Sequence, residues 1–298
     1  MSNRVYGLLL GMLLLLGSCG SVPEEEQRLP LWQAPRLQAH PDTGRIVNLT
    51  TGRQLTPQML VAELAAVPLV LLGEKHDNPD HHRLQLWLLQ ALEGRREQGS
   101  LVLEMLTDTQ QPHVDNVRQR LATGGKVKQL PQALEWNPGW DWQHYGPVLE
   151  YAIRQPWQLR AGNLDRDALM SIYRNPPELP PGPAGQQQVQ AELAEIILDA
   201  HCGKLPEQQI PAMVAVQQQR DLRMMKALLD APQPGLLIAG SYHVRKDLGV
   251  PLHLQEELPE QEYQVLIFLE AGQAVTPAMA DYVWYTPATE EKDYCADL

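Results

Sequence analysis

The chain has 298 residues, 44% of them apolar, and carries 24 basic against 36 acidic side chains for a net charge of −12. That length holds one large α/β domain or two smaller ones around a full hydrophobic core. The acidity, with no basic cluster along the chain, excludes nucleic acid and anionic lipid head groups as partners.

The N-terminus reads as a leader. Arg4 precedes an apolar run from Leu8 to Leu16, and small residues follow in Leu16-Gly17-Ser18-Cys19. The run is too short for a bilayer span, which takes about 20 apolar residues. The last four residues resemble the lipobox of bacterial lipoproteins. That resemblance implies a signal peptide over residues 1–18, a lipid on Cys19 as membrane anchor and, with Gly20 next in line, an outer-membrane address facing the periplasm. Residues 19–40 follow as a flexible tether, with Pro23 and Glu24 to Glu26 in its solvated part, and the domain proper is expected over 41–298.

From Arg45 to Leu55 the pattern predicts a small hairpin around Thr50-Thr51-Gly52, and Thr56-Pro57 starts a helix as N-cap and first helical residue. Short apolar runs recur at 68–72, 101–105, 158–161, 235–239 and 265–269, separated by helical stretches at 79–94, 144–155 and 186–230. Continuous apolar strands alternating with helices predict an α/β fold, with a mostly parallel central sheet flanked by helices. The prolines and glycines between Asn175 and Gly185 predict a loop, after which a helical subdomain is inserted at about 184–230. Cys202 and Cys295 sit in a compartment that permits disulfides, and are either a bridge tying the C-terminal tail to the body or two buried thiols.

Chemistry gathers where strands end. Glu74 and His76 follow the run Leu69 to Leu72, with Gly73 letting the backbone turn; Glu104 ends the next strand; Gly240-Ser241-Tyr242-His243 ends a later one. Open α/β sheets bind ligands at that edge. If the strands are neighbours, Glu74, His76, Glu104 and His243 converge, a set suited to a divalent metal, a general acid and base, or polar anchors around a larger ligand. His81 and His82 open the following helix, either as solvent-facing residues or as part of the site. His201 closes a helix before Gly203, where an imidazole suits the helix dipole. Arg220-Asp221 reads as a surface pair, although Gln217 and Arg220 share a face that can reach an anion. Trp140, Trp142, Trp284 and Tyr285 read as core or rim packing.

Taken in order, the motifs resemble the ChaN family of iron-regulated, haem-binding lipoproteins. The matching stretches are Leu72 to Asn78 with His81 to Gln85, Glu104-Met105, Trp140 to Trp142 with Tyr145 and Pro147, and His201 to Pro206. They continue through Met213, Gln217, Arg220-Asp221, Gly240 to Arg245 and Asp247 to Pro251, and the match spans Arg45 to Tyr285. The resemblance implies binding rather than turnover. It implies haem as the ligand and a homodimer with two haems face to face at its interface. A tyrosine would hold each iron, a histidine of the partner subunit would meet the propionates, and proteins of a haem uptake or storage system would be partners. A phenolate is a hard anionic ligand for ferric iron, and haem's flat faces need apolar cover. Tyr242, inside a matched motif at the sheet edge, is taken as the iron ligand, with Tyr145 as the alternative. His201, His243, Met213, Gln217 and Arg220 are the pocket or propionate contacts. The same residues also resemble the superfamily of erythromycin esterases and Gly-x-x-His metalloproteases. There Glu74, His76, Glu104 and His243 imply metal ligands or acid and base groups of a hydrolase.

Overall fold

The computed structural model describes residues 28–178, 182–293 and 295–296; the predicted leader, Cys19 and the first part of the tether lie outside them. The strands are β1 (Ile46–Asn48), β2 (Gln54–Leu55), β3 (Leu69–Glu74), β4 (Ser100–Thr107), β5 (Gln158–Asn163), β6 (Gly235–Gly240), β7 (Tyr263–Glu270) and β8 (Tyr282–Thr286). They form one sheet in the order β2-β1-β8-β7-β3-β6-β4-β5. From β5 to β8 all neighbours run parallel, and the β1–β2 hairpin joins β8 antiparallel. This is the predicted α/β fold with its mostly parallel sheet.

The inner strands are continuously apolar because helices cover both faces. Val70, Leu72, Leu236, Ile238, Leu266 and Phe268 face one layer. That layer is built by α1 (Pro57–Ala65), α2 (Pro79–Glu93), α3 (Gln111–Ala122), the short α4 (Leu130–Ala133) and α5 (Trp142–Ala152). Leu69, Leu71, Leu237, Ala239, Val265 and Ile267 alternate onto the other face. Between the layers, each fully buried Leu or Phe contributes about 1.5–3 kcal/mol. Past β5 come α6 (Arg166–Arg174), α7 (Gln187–Ala200), α8 (Ile210–Leu229), α9 (Ser241–Val244) and α10 (Val250–Glu257). Local capping sets the starts: Thr56 accepts a hydrogen bond from the Met59 N–H at 3.2 Å, and Asn78 from the Asp80 N–H at 3.0 Å.

The segment after the proline-rich loop has two environments. Met224, Met225 and Leu228 of α8 pack directly on the sheet, whereas Val189, Leu193 and Ile197 of α7 pack with Val214, Leu248 and Leu252 in a separate small core. Cys202 and Cys295 form a disulfide with Cα atoms 5.8 Å apart, which ties the C-terminal tail to the turn between α7 and α8. Part of the expected tether is fixed. Asp80 accepts from the Gln33 N–H at 2.7 Å and the Ala34 N–H at 3.0 Å, and Arg36 pairs with Ala288. A carboxylate at the start of α2 thus draws residues 33–36 onto the body. No helix of the described residues is long and apolar enough to cross a membrane.

Candidate functional site

The C-terminal ends of β3, β6 and β4 lie side by side, and Glu74 is level with Gly240 across the β3–β6 ladder. Gly73 makes no turn here. It pairs within β3, and its missing Cβ lets Ser241 and Val244 of α9 approach: a Cβ would stand 3.1 Å from Ser241 Cα and 2.5 Å from Val244 Cγ2. Close packing, rather than bending, is what the glycine provides.

The four strand-end residues converge, and each is already paired. Glu74, 2% exposed, accepts from the Tyr145 hydroxyl at 2.7 Å and from His76 Nδ1 at 2.8 Å. His82 Nε2 donates to the His76 carbonyl at 2.9 Å and faces the second Glu74 oxygen at 3.4 Å. Beside this group, Glu104 accepts from the Gly240 N–H at 2.7 Å and from Arg220 at 2.5 Å, with His243 Nε2 at 3.4 Å. His243 Nδ1 donates to Asp221 at 2.5 Å, and the Gln217 amide nitrogen lies 3.2 Å from His243 Nε2. Asn163 orients the pair, accepting from Arg220 Nε at 3.2 Å and donating to the Glu104 carbonyl at 3.0 Å. Arg220-Asp221, expected as a surface pair, is therefore part of the buried cluster, because α8 lies against β4 and β5.

These contacts set protonation. Burial opposes charge on His243, but Glu104 and Asp221 overcome it and raise its pKa to about 9. Burial alone would raise Glu104; His243 and Arg220 hold it well below the usual carboxylate range. Burial likewise disfavours the His76 cation, and the Glu74 hydrogen bond with the Glu74 and Glu104 charges raises it nonetheless. Tyr145 is the opposite case. Burial and the Glu74 carboxylate push its phenol far above the ordinary value, so in this structure it stays protonated and donates to Glu74.

Tyr242 differs from Tyr145 in every respect. It is the second residue of α9, two after the end of β6, and is 51% exposed. With Glu74, His76 and Ser241 it borders a cleft of about 470 Å³, whose apolar wall is Ile267, Phe268, Leu269 and Met279 and whose cations are Lys75 and Arg245. The size is in the range of small-molecule and cofactor sites. Trp140 packs edge-on against His76 with ring centroids 4.9 Å apart, which gives the rim tryptophan a defined place. His81 is fully buried, bound between the Lys75 N–H and Thr286, so neither it nor His82 faces solvent. Met213 sits one turn before Gln217 on α8 and packs in the small core with α7. His201 closes α7 with its ring on the Ile197 carbonyl at 2.7 Å. Among the described residues no group of three His, Cys, Asp or Glu side chains could hold a metal ion. The sequence did not point to Lys75, Asn163 or the β7 wall, whose roles depend on neighbours distant in the chain.

The family model for haem-binding uptake, Tiki superfamily, ChaN matches residues 60–254. A solved structure of ChaN from Campylobacter jejuni, showing cofacial haem binding, is 30% identical; the match covers 80% of this chain and 95% of that one with a TM-score of 0.74. The erythromycin esterase EreC in its open conformation is 14% identical over 89% of this chain and 85% of that one, with a TM-score of 0.46. RRSP, a MARTX toxin effector domain from Vibrio vulnificus, is 15% identical over 82% and 40%, with a TM-score of 0.43. No curated protein matches the chain. With well over half of its length matched by the family model and a relative at 30% identity, the chain belongs to the ChaN family of the Tiki superfamily.

Proposed function

We propose that this chain binds haem in the cleft above β3, β6 and β7, with the Tyr242 phenol as iron ligand. The observation that carries haem is the likeness to the Campylobacter protein, which binds haem cofacially and is matched over 95% of its length. What supports Tyr242 is its exposed phenol at the mouth of an apolar cleft, while the buried Tyr145 phenol is held by Glu74. The residues fit the ligand. Ile267, Phe268, Leu269 and Met279 offer apolar contact to a flat macrocycle, and Lys75 and Arg245 at its edge, now paired with Glu270 and with Asp247 and Glu192, would exchange part of that pairing for its propionates.

Gln217 and Arg220, half-buried on α8, are further propionate partners, and His243 between Asp221 and Glu104 positions them. His201 and Met213 are not among the residues lining this cleft; Met213 packs in the small core with α7 and His201 closes that helix. An exposed ligand leaves one haem face uncovered, and a second copy of the chain supplies the cover in a homodimer. The lipid on Cys19 holds the domain at the periplasmic side of the outer membrane, in reach of a haem uptake or storage system. Haem titration of the chain without residues 1–19 is expected to give a saturating absorbance band of tyrosine-ligated ferric haem and an earlier size-exclusion peak. No binding at micromolar haem defeats the reading, and an unchanged band in Tyr242→Phe defeats the ligand choice alone.

A further inference from the structure

A second cavity, of about 360 Å³, lies between α2 and α5 beneath the segment around Gln33. Its polar wall is Arg28, Arg83, His82, His144, Gln143 and Gln90. Among the described residues no acidic side chain lines it, although the chain carries a net charge of −12. Asp80 attracts Arg83, but both Asp80 oxygens accept backbone N–H groups from residues 33 and 34. Among the described residues no ion pair joins Arg28 or Arg83 to a carboxylate.

The cavity also has a flat aromatic wall. His82 and His144 stack with centroids 4.8 Å apart and planes 13° from parallel, and His82 is buried while His144 is half-buried. Burial and the neighbouring His82 lower the His144 pKa, so its ring is neutral near pH 7 and presents a π face. Leu86, Trp87 and Pro147 make the remaining lining apolar. Unpaired guanidiniums recognise oxyanions, and aromatic rings with apolar neighbours take a flat hydrocarbon body.

We propose that this cavity is a second ligand site, taking a small flat organic oxyanion, carboxylate or phosphate, whose charge meets Arg28 and Arg83 and whose ring lies on His144. A charge-assisted hydrogen bond contributes about 1.5–3 kcal/mol, so removing one guanidinium weakens such a ligand about tenfold or more. The two cavities share no lining residue, although His82 lies 3.4 Å from Glu74 and His144 hydrogen-bonds the His76 backbone.

Titration calorimetry of the mature chain with benzoate, phenyl phosphate and neutral benzamide tests the assignment. The expected result is saturable binding of an anion at one site per chain, with benzamide at least about tenfold weaker and the His144 ring protons shifted in NMR spectra. Benzoate alone binding marks a carboxylate site, phenyl phosphate alone a phosphate site, and both a general oxyanion site. Arg83→Gln is expected to weaken the anion about tenfold without changing the haem titration, and Arg28→Gln serves if Arg83→Gln does not fold. Benzamide binding as tightly as the anions, no saturation by either anion, or anion affinity unchanged in the folded variant overturns the proposal.

Discussion

Tyr145 and Glu74, 71 residues apart in sequence, meet in a buried hydrogen bond of 2.7 Å in which the phenol donates to the carboxylate. Among the described residues the second Glu74 oxygen has no hydrogen-bond partner, and the His82 ring lies 3.4 Å from it. Glu74 therefore depends on Tyr145 and His76. Tyr145→Phe is expected to cost about 1–3 kcal/mol in denaturant unfolding, the penalty for a buried acceptor deprived of its donor. If Tyr242 is the iron ligand, as proposed, the absorbance of bound haem is expected to stay as it is, because the Tyr145 phenol donates to the carboxylate. A changed haem band with unchanged stability would exchange the roles of Tyr145 and Tyr242.

Gly73 makes a sharper test of packing. A Cβ there would meet Ser241 Cα at 3.1 Å and Val244 Cγ2 at 2.5 Å, and the Ser241 backbone has little freedom to withdraw at the end of β6. Gly73→Ala is expected to lose about 1–3 kcal/mol through overpacking. Gly94 is the control: it follows α2 with helical dihedrals, and a Cβ would meet its nearest atom at 3.5 Å. Gly94→Ala is expected to stay within about 0.5 kcal/mol of the parent. A loss at Gly73 no larger than at Gly94 would show that contact with Ser241 and Val244 does not limit the position.

The contrast between these glycines also marks what a sequence can convey. A parallel strand carries its own signature, an unbroken apolar run closed by polar residues, so Glu74, His76, Glu104 and His243 could be placed at one sheet edge before any coordinates existed. Their partners could not. Helical periodicity assigns Arg220 and Asp221 to faces of α8 without saying what each face meets, and only the packing of α8 on the sheet buries Asp221. β8 was hidden because Trp284 and Tyr285 read equally well as packing aromatics, and its antiparallel link to β1 is a contact between distant segments. The disulfide is of the same kind, two cysteines 93 residues apart with nothing local to join them.

His81 links the fold to pH. Its Nδ1 accepts from the Lys75 N–H at 2.9 Å, which fixes the neutral tautomer with Nε2 donating to Thr286 at 2.9 Å. Burial first, then the His82 and Lys75 charges, hold its pKa well below 6.5. The unfolded chain thus binds a proton that the folded chain refuses. The stabilisation is complete above the unfolded pKa near 6.5 and is lost as pH falls below it, by up to about 1.4 kcal/mol per pH unit. Urea unfolding from pH 8 to pH 5 is expected to show this acid limb, and His81→Gln to flatten it while lowering stability at pH 8. An unaltered limb in the variant would assign it to other groups, such as His253, which burial also lowers.

The Cys202–Cys295 bond closes α8, β6, α9, α10, β7 and β8 into a loop, and cross-linking a loop of that length removes unfolded-state entropy worth about 4–5 kcal/mol at most. Beyond Thr289 the tail is held by exposed ion pairs such as Arg36 with Glu291, which contribute little. Reduction, or Cys295→Ser, is therefore expected to lower the melting temperature and expose the last residues to carboxypeptidase, while the sheet stays folded. A tail that resists digestion after reduction would mean that noncovalent contacts hold it.

Glu104 is the centre of the buried charges, with Arg220 on one side and His243 on the other, and this rank order can be measured. Glu104→Gln leaves two cations facing one another over Asp221, and breaking a buried pair in this way costs about 3–5 kcal/mol. Arg220→Met removes a half-buried partner while Glu104 keeps the Gly240 N–H and His243, so its loss is expected to be smaller, about 2 kcal/mol. The two effects are expected to be non-additive, since the double variant no longer has a carboxylate or a guanidinium to leave unpaired. A strictly additive double variant in denaturant unfolding would place Arg220 and Glu104 in separate networks, and the cluster at the sheet edge would then be two sites rather than one.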